Sequence, residues 1–112
     1  MRLVELRLQD WRNVEAARVD TDARFVVLSG ENAQGKTNIL ESAWVLATLR
    51  SFREGRVARL VRHGAKQASV TGVVTGRSGR RRLQWRRDEA GRRGLSLDDR
   101  PCHELSSWFS VL

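Results

Sequence analysis

An α/β fold with an incomplete sheet and an antiparallel β lobe is what the sequence predicts, on three observations. Phe25-Val26-Val27-Leu28 is a continuous apolar run that stops at Ser29-Gly30. Apolar residues then recur at helical spacing over residues 36–49. From residue 66 the pattern switches to period two and holds to residue 97. Four apolar residues bounded by turn signals fit a strand buried on both faces of a parallel sheet, whereas alternation fits strands with one face on a core.

The elements follow in chain order. Residues 2–11 alternate, with Val4, Leu6 and Leu8 on one face and Glu5, Arg7 and Gln9 on the other, which is a half-buried strand. Arg12-Asn13 opens a turn, and residues 14–20 are placed to form its hairpin partner. After the apolar strand and a glycine-containing loop at 30–35, Ile39, Ala43 and Leu46 recur, with Leu40, Trp44 and Ala47 one position on. That wide stripe predicts a helix over about 36–49 with Trp44 in the core. Ser51 can cap a second helix with Val57, Leu60 and Val61 as its buried face and Gly64 as its stop. Segments 68–75, 81–87 and 94–97 read as strands, joined at Gly76-Arg77-Ser78-Gly79 and around Gly91. Asp98-Asp99 makes a further turn, and residues 103–109 begin a helix. The predicted organisation is a β/α part at 1–65, an antiparallel lobe at 66–100 and the start of a further, truncated helix at 101–112. A parallel sheet around 25–28 needs more strands than remain, so it is expected to be incomplete.

Composition bounds the function. The chain has 112 residues, enough for one modest core, and its 40% hydrophobic content is too high for a disordered chain. No apolar run approaches the roughly 20 residues of a membrane span. The opening residues lack the apolar centre of a secretory signal, and a cytoplasmic protein is the default expectation. A single cysteine, Cys102, excludes an internal disulfide framework and a cysteine-built zinc site. Twenty-one basic against 13 acidic residues give a formal net charge of +8 and a pI near 11.4, which suits a polyanionic partner. Only Lys36 and Lys66 among the basic residues are lysines, so these are positions where a compact ammonium is retained in an arginine-rich chain.

Gly30-Glu31-Asn32-Ala33-Gln34-Gly35-Lys36-Thr37 matches G-x-x-x-x-G-K-[ST] at every fixed position. Glycines at both ends let the backbone curl so that successive N–H groups face phosphate oxygens, and the following helix adds its positive end. In this pattern the lysine reaches the β- and γ-phosphates and the threonine hydroxyl ligates Mg²⁺. The motif requires a buried strand before it and an amphipathic helix after it, and the sequence predicts both. A nucleotide with Mg²⁺ is therefore the expected ligand, with residues 30–37 as the site and Thr37 as the metal ligand.

The stretch GENAQGKTNILE, residues 30–41, resembles the RecF family of DNA replication and repair ATPases, whose motif reads Asn-Ala-Gln-Gly-Lys-Thr-Asn followed by an apolar residue, Leu and Glu. Related ABC-type repair ATPases more often carry Asn-Gly-Ser-Gly-Lys-Ser, so Ala33 and Gln34 point to RecF. Leu8-Gln9-Asp10-Trp11-Arg12-Asn13 is similar to the family's strand end and Phe-Arg-Asn, with Trp11 where Phe is usual. Arg50-Ser51-Phe52-Arg53, Leu60-Val61-Arg62-His63-Gly64 and the strand-rich 66–100 stretch fall where the family has a turn, a helix ending in Gly and a small antiparallel lobe. The resemblance covers the whole chain but only the N-terminal part of a RecF protein. It implies a P-loop NTPase fold of the ABC-type ATPase head, here its N-terminal half. It also implies a slow DNA-dependent ATPase that dimerises with ATP, binds duplex, single-stranded and gapped DNA, acts in recombinational repair and the SOS response, and has RecR and RecO as partners. By the same resemblance Arg12 is a second-rank nucleotide ligand, while a solvated turn arginine is the plain reading of its residues.

Other family motifs are missing from the sequence: a Q-loop, an ABC signature and a Walker B strand. Asp98-Asp99 follows only Leu95-Ser96-Leu97, too short and polar for Walker B, and a turn is the expectation. The family usually has Asn-Gly there, so this hairpin is expected to be less regular. Without those motifs the chain supplies half a site, and weak nucleotide binding with negligible hydrolysis is expected. Arg77, Arg80, Arg81, Arg82, Arg86, Arg87, Arg92 and Arg93 surround Trp85 in a basic region that could hold DNA phosphates. Alternation instead puts Leu83 and Trp85 toward a core and Arg82, Gln84 and Arg86 on a solvated face. Trp108 requires an element to pack on that the sequence does not obviously provide. On the residues alone, another P-loop NTPase or kinase and a non-enzymatic basic nucleic-acid-binding module remain alternatives.

Overall fold

Alternation becomes strand wherever the described residues carry it. The computed structural model describes residues 2–12, 14–20, 32–50, 60–77 and 79–111, with 32–36 described as backbone only. Strands β1 (Arg2–Trp11) and β2 (Val14–Asp20) form the first hairpin, and helix α1 spans Asn32–Thr48. Strands β3 (Gln67–Gly76), β4 (Gly79–Asp88), β5 (Arg93–Leu97) and β6 (Arg100–Pro101) precede helix α2 (Leu105–Ser110). The expected strand at 25–28 and the bulk of the expected second helix, 51–59, lie outside the described residues.

One six-stranded sheet in the order β2-β1-β3-β4-β5-β6 unites these strands, and every pairing is antiparallel. The inner face carries the row Ala17, Leu8, Val70, Trp85 and Leu95, cross-strand neighbours in register. Leu8, Val70 and Trp85 are almost fully buried there. At the start of β1 the structure corrects the predicted phase. The register shifts between Leu3 and Glu5, so the extra residue Val4 drops out of the pairing and Leu3 packs against the core instead. A bulge inserts one residue and thereby flips which side chains face inward.

Helix α1 lies on the inner face through Ile39, Val45 and Leu46, but it departs from expectation in two ways. It starts at Asn32 rather than near residue 36. Ala33 and Gln34 are good helix formers, which favours the earlier start. Trp44, expected in the core, is half exposed, and Leu40 and Ala47 are also on the solvent side. The helix ends with Leu49 in the left-handed region (φ 61°), its N–H donating to the Val45 carbonyl at 2.7 Å. Leu60 and Val61 are buried as expected but not helical: Leu60 lies in a turn and Val61 bridges Trp11 in antiparallel fashion. That bridge continues the sheet edge beyond β3, and the chain then turns at Gly64, whose φ of 86° suits glycine.

Three tryptophans fill the interior. Trp11 and Trp85 meet edge to face with ring centroids 5.4 Å apart. Trp108 of α2 is fully buried and donates its indole N–H to the Leu46 carbonyl at 2.9 Å, so the element it packs on is α1. Among the described residues, no helix is long and apolar enough to cross a membrane.

The sheet and helix approach most closely at Gly72, in β3. A Cβ there would lie 2.7 Å from Leu46 Cδ1 and 3.5 Å from Leu3 Cδ1. Replacing it by valine forces branched bulk against a buried leucine, an overpacking cost of about 1–3 kcal/mol. Urea unfolding of Gly72→Val is expected to show that loss, with the m value unchanged because the exposed surface is the same.

Candidate nucleotide site

The phosphate-binding motif straddles the boundary of what is described: Gly30 and Glu31 lie outside it, and Asn32 to Thr37 open α1. The first four N–H groups of any helix lack an intrahelical acceptor. In α1 these belong to Asn32, Ala33, Gln34 and Gly35, four of the eight motif residues. The arrangement therefore directs backbone donors and the positive helix end out of the motif itself. Thr37, one turn in, is half-buried. The Lys36 side chain is outside the description.

Directly after the motif, α1 buries three polar residues, Asn38, Glu41 and Ser42, on the side facing the sheet. Each is tied into a bond. Asn38 offers its carbonyl to the Trp11 indole N–H at 3.2 Å, and the Ser42 hydroxyl donates to the Ile39 carbonyl at 2.6 Å. Glu41 is fully buried and receives Arg12 in a two-pronged pair, Nε to Oε1 at 2.5 Å and Nη2 to Oε2 at 2.8 Å. Such a fork is the strong form of a charge-assisted hydrogen bond. The solvated-turn reading of Arg12 is thereby corrected: its side chain is mostly buried against the nucleotide helix.

The turn that carries Arg12 is itself held in place. Asp10 and Arg12 both have left-handed backbones (φ 50° and 54°), a conformation that costs an L-residue about 1–2 kcal/mol. Residues 60–62 offset that cost. Arg12 N–H donates to the Leu60 carbonyl at 2.7 Å and Arg62 N–H to the Asp10 carbonyl at 2.8 Å. Arg62 Nε adds a bond to Asp10 Oδ1 at 2.9 Å. Sequence reasoning singled out Arg12 but missed Glu41 and the Asp10–Arg62 tie. The available signal was a lone carboxylate inside an apolar helical stripe.

The other acidic candidates resolve as predicted. Asp98 and Asp99, both left-handed (φ 52° and 67°), form the two-residue turn between β5 and β6. The hairpin is regular despite lacking Asn-Gly, because aspartate tolerates this conformation. Asp98 accepts from the Arg82 N–H at 2.9 Å and from Arg81 Nε at 2.6 Å, while Arg82 Nη1 reaches Asp99 at 3.2 Å. In the basic region Leu83 and Trp85 are core, while Arg82 and Arg86 lie on the outer face. Arg92 pairs with Asp88 and Arg86 with the Ser96 hydroxyl, so several of these arginines are spent within the lobe. Arg87 differs: it sits 5.8 Å from the Trp85 ring centroid, with its Nε and the Trp85 indole N–H both buried and without an acceptor among the described residues. Desolvation, and then Arg93, lower its pKa.

The residues present thus suit a phosphate-bearing ligand: motif N–H groups at a helix start and a hydroxyl one turn in. The fold defines the class. A solved structure from work on ATP-driven dimerisation and DNA-stimulated activation of SMC ATPases matches 100% of this chain and 78% of its own at a TM-score of 0.79 and 20% identity. The chain has the P-loop fold of ABC-type ATPase heads. Within that class it is a RecF-type sequence, 42% identical over all 112 residues to the DNA replication and repair protein RecF of Anaeromyxobacter sp. (strain Fw109-5). It spans 30% of the length of that curated relative. A structure of the recombination mediator protein RecF with ATP covers 92% of the chain, and 28% of its own, at a TM-score of 0.75 and 23% identity. No protein-family model matches.

The Asp98 turn gives a pH signature. The Arg82 N–H holds the Asp98 carboxyl below its ordinary pKa; partial burial opposes this, and the hydrogen bond and charge of Arg81 reinforce it. A depressed folded pKa contributes stability above the ordinary aspartate value of about 3.9, and that contribution is lost as pH falls through the lower, folded value. Asp98→Asn is expected to melt below the parent chain at pH 7, with the gap narrowing as pH falls past about 4 and vanishing only below the depressed folded pKa, where the aspartate too is neutral.

Proposed function

We propose that this chain supplies the nucleotide-binding part of a RecF-type DNA replication and repair ATPase. It would bind ATP with Mg²⁺ through Gly30, Glu31, Asn32, Ala33, Gln34, Gly35, Lys36 and Thr37, with Arg12 as an accessory phosphate ligand. The observation that carries the reading is the complete motif opening α1 in a chain 42% identical to a RecF protein. Bound ATP supplies a triphosphate whose charge the site neutralises. The N–H groups at the start of α1 orient its oxygens, Lys36 adds a mobile point charge, and the Thr37 hydroxyl holds Mg²⁺.

The sequence carries no Walker B carboxylate or signature motif, so these residues bind nucleotide and do not activate water. In phosphoryl transfer the water-positioning groups are as necessary as the phosphate cradle. The reading extends to a cytoplasmic protein whose ATP-dependent dimer engages duplex, single-stranded and gapped DNA in recombinational repair and the SOS response, with RecR and RecO. Support for this larger role is the RecF likeness and the net charge of +8, which favours a polyanion.

Thermal unfolding with Mg–ATP is the test. A ligand that binds only the folded state raises Tm, by about 2.7 kcal/mol of stability at a hundredfold excess over Kd. The parent chain is expected to shift upward and Lys36→Ala to stay unmoved. An equal shift in both would place the nucleotide elsewhere.

A further inference from the structure

We infer that the outer face of the sheet holds the phosphate backbone of duplex DNA in a groove that crosses β2, β1, β3 and β4. The inference rests on the DNA-binding role proposed above and gives it a location apart from the nucleotide motif. A groove of about 550 Å³ lies on this face, and Arg7, Gln9, Arg18, Ser69, Thr71 and Gln84 present its polar groups. No carboxylate lines it. The register explains why these side chains converge. Arg18, Arg7, Thr71 and Gln84 stand opposite one another on successive strands, and Gln9 and Ser69 belong to the next row of the same face. Guanidiniums, hydroxyls and carboxamides can all donate to phosphate oxygens.

The charge balance points the same way. Glu5 lies just beyond the groove, and its Oε1 serves both Arg7 Nε and Arg18 Nε, the latter at 3.2 Å. One carboxylate cannot neutralise two guanidiniums, so the trio keeps a positive charge. Both arginines stay more than half exposed, at 59% and 58%. Arg86, opposite Ser69, adds a third cation, and it bonds to the neutral Ser96 hydroxyl. The acids of this face collect elsewhere. Asp20 stands opposite Glu5, Asp99 shares a smaller hollow of about 190 Å³ with Glu5 and Arg82, and Asp88 pairs with Arg92.

Two observations choose the partner. Single strands are gripped by stacking bases on aromatic side chains, and the groove has none: Trp11, Trp85 and Trp108 are all in the core. A protein partner needs apolar anchors, and the apolar lining here is Ala16, Ala17 and the buried Leu8. A duplex asks for phosphate contacts alone, which these donors supply without reading sequence.

The test is fluorescence anisotropy of a labelled duplex of about 20 base pairs with the full 112-residue chain, with and without Mg–ATP, between about 50 and 200 mM salt. Arg7→Gln/Arg18→Gln is expected to bind roughly tenfold more weakly at low salt and to flatten the slope of log affinity against log salt by about two, one for each lost phosphate contact. Ser69→Glu leaves the Glu5 pairs intact and puts a carboxylate in the groove, so a similar loss is expected; it decides the matter if the double variant lacks cooperative unfolding. Arg100→Gln removes an exposed cation from β6, outside the groove, and is expected to stay within about twofold of the parent. Groove variants that bind like the parent, or an equal loss in Arg100→Gln, overturn the inference and leave DNA binding itself standing. A single strand or poly-glutamate of equal charge that binds as tightly as duplex, with the same losses in the groove variants, overturns the choice of partner. A parent chain that binds no duplex defeats the DNA-binding role and this inference together.

Discussion

The position of α1 on the sheet is the constraint from which the site follows, and two tryptophans set it. The Trp11 indole donates to the Asn38 carbonyl and the Trp108 indole to the Leu46 carbonyl, eight residues further along α1. Those anchors are about 12 Å apart on the helix axis, more than two turns. A helix resting on an apolar face through dispersion alone can slide or roll at little cost. Two directional bonds from fully buried side chains remove both motions, because each indole has one N–H and each carbonyl one location. The Trp11 anchor lies one residue beyond Thr37, so the end of the helix that carries the motif is held directly. Gly72 completes the arrangement by omitting the Cβ that Leu46 would meet.

Part of the chain's basic charge is balanced locally by ion pairs on the sheet. On the outer side of the sheet, Glu5 receives both Arg7 and Arg18, whose strands flank or contain it. Asp98, Asp99 and Asp88 take up Arg81, Arg82 and Arg92 at the two ends of the β4 hairpins. The exposed pairs among these, such as Arg82 with Asp99, contribute little to stability, each typically under about 1 kcal/mol. Their consequence is local: they set side-chain directions and reduce the field of the lobe. Arg87 forms no ion pair among the described residues and lies over Trp85, where burial lowers its pKa.

Much of this was legible in advance, and the failures have definite causes. The strand pattern gave β1 to β5 because one face of each strand meets a core, which makes period two a direct record of burial. The two-residue strand β6 is too short to have a period. The Asp98-Asp99 turn was legible from turn chemistry alone, and the nucleotide motif from its spacing. Arg12 entered the site through likeness to a family, since nothing in a single sequence shows that residues 12 and 41 meet. Long-range pairs such as Asp10 with Arg62 are equally invisible, because 52 positions of chain separate them. The Val4 error came from a bulge, a feature that adds one residue without leaving a compositional mark.

The misplacement of Trp44 says most about how α1 is used. Apolar spacing centres the predicted stripe on Leu40, Ala43 and Ala47, whereas the face on the sheet centres on Ser42, Val45 and Leu46. At about 100° per residue the two centres differ by roughly a third of a turn. The reason is that the buried face includes Asn38, Glu41 and Ser42, polar residues that a hydrophobicity pattern assigns to water. Burial of the Glu41 and Ser42 side chains is tolerable because each finds a partner, Arg12 and the Ile39 carbonyl, while at Asn38 the backbone carbonyl receives Trp11. The apolar residues left on the other side, Leu40, Trp44 and Ala47, recur at i, i+4 and i+7, the spacing of a second continuous face. A helix with a mixed face against a sheet, Ile39, Val45 and Leu46 beside bonded polar residues, and a second apolar face opposite carries the residue pattern of an inner layer.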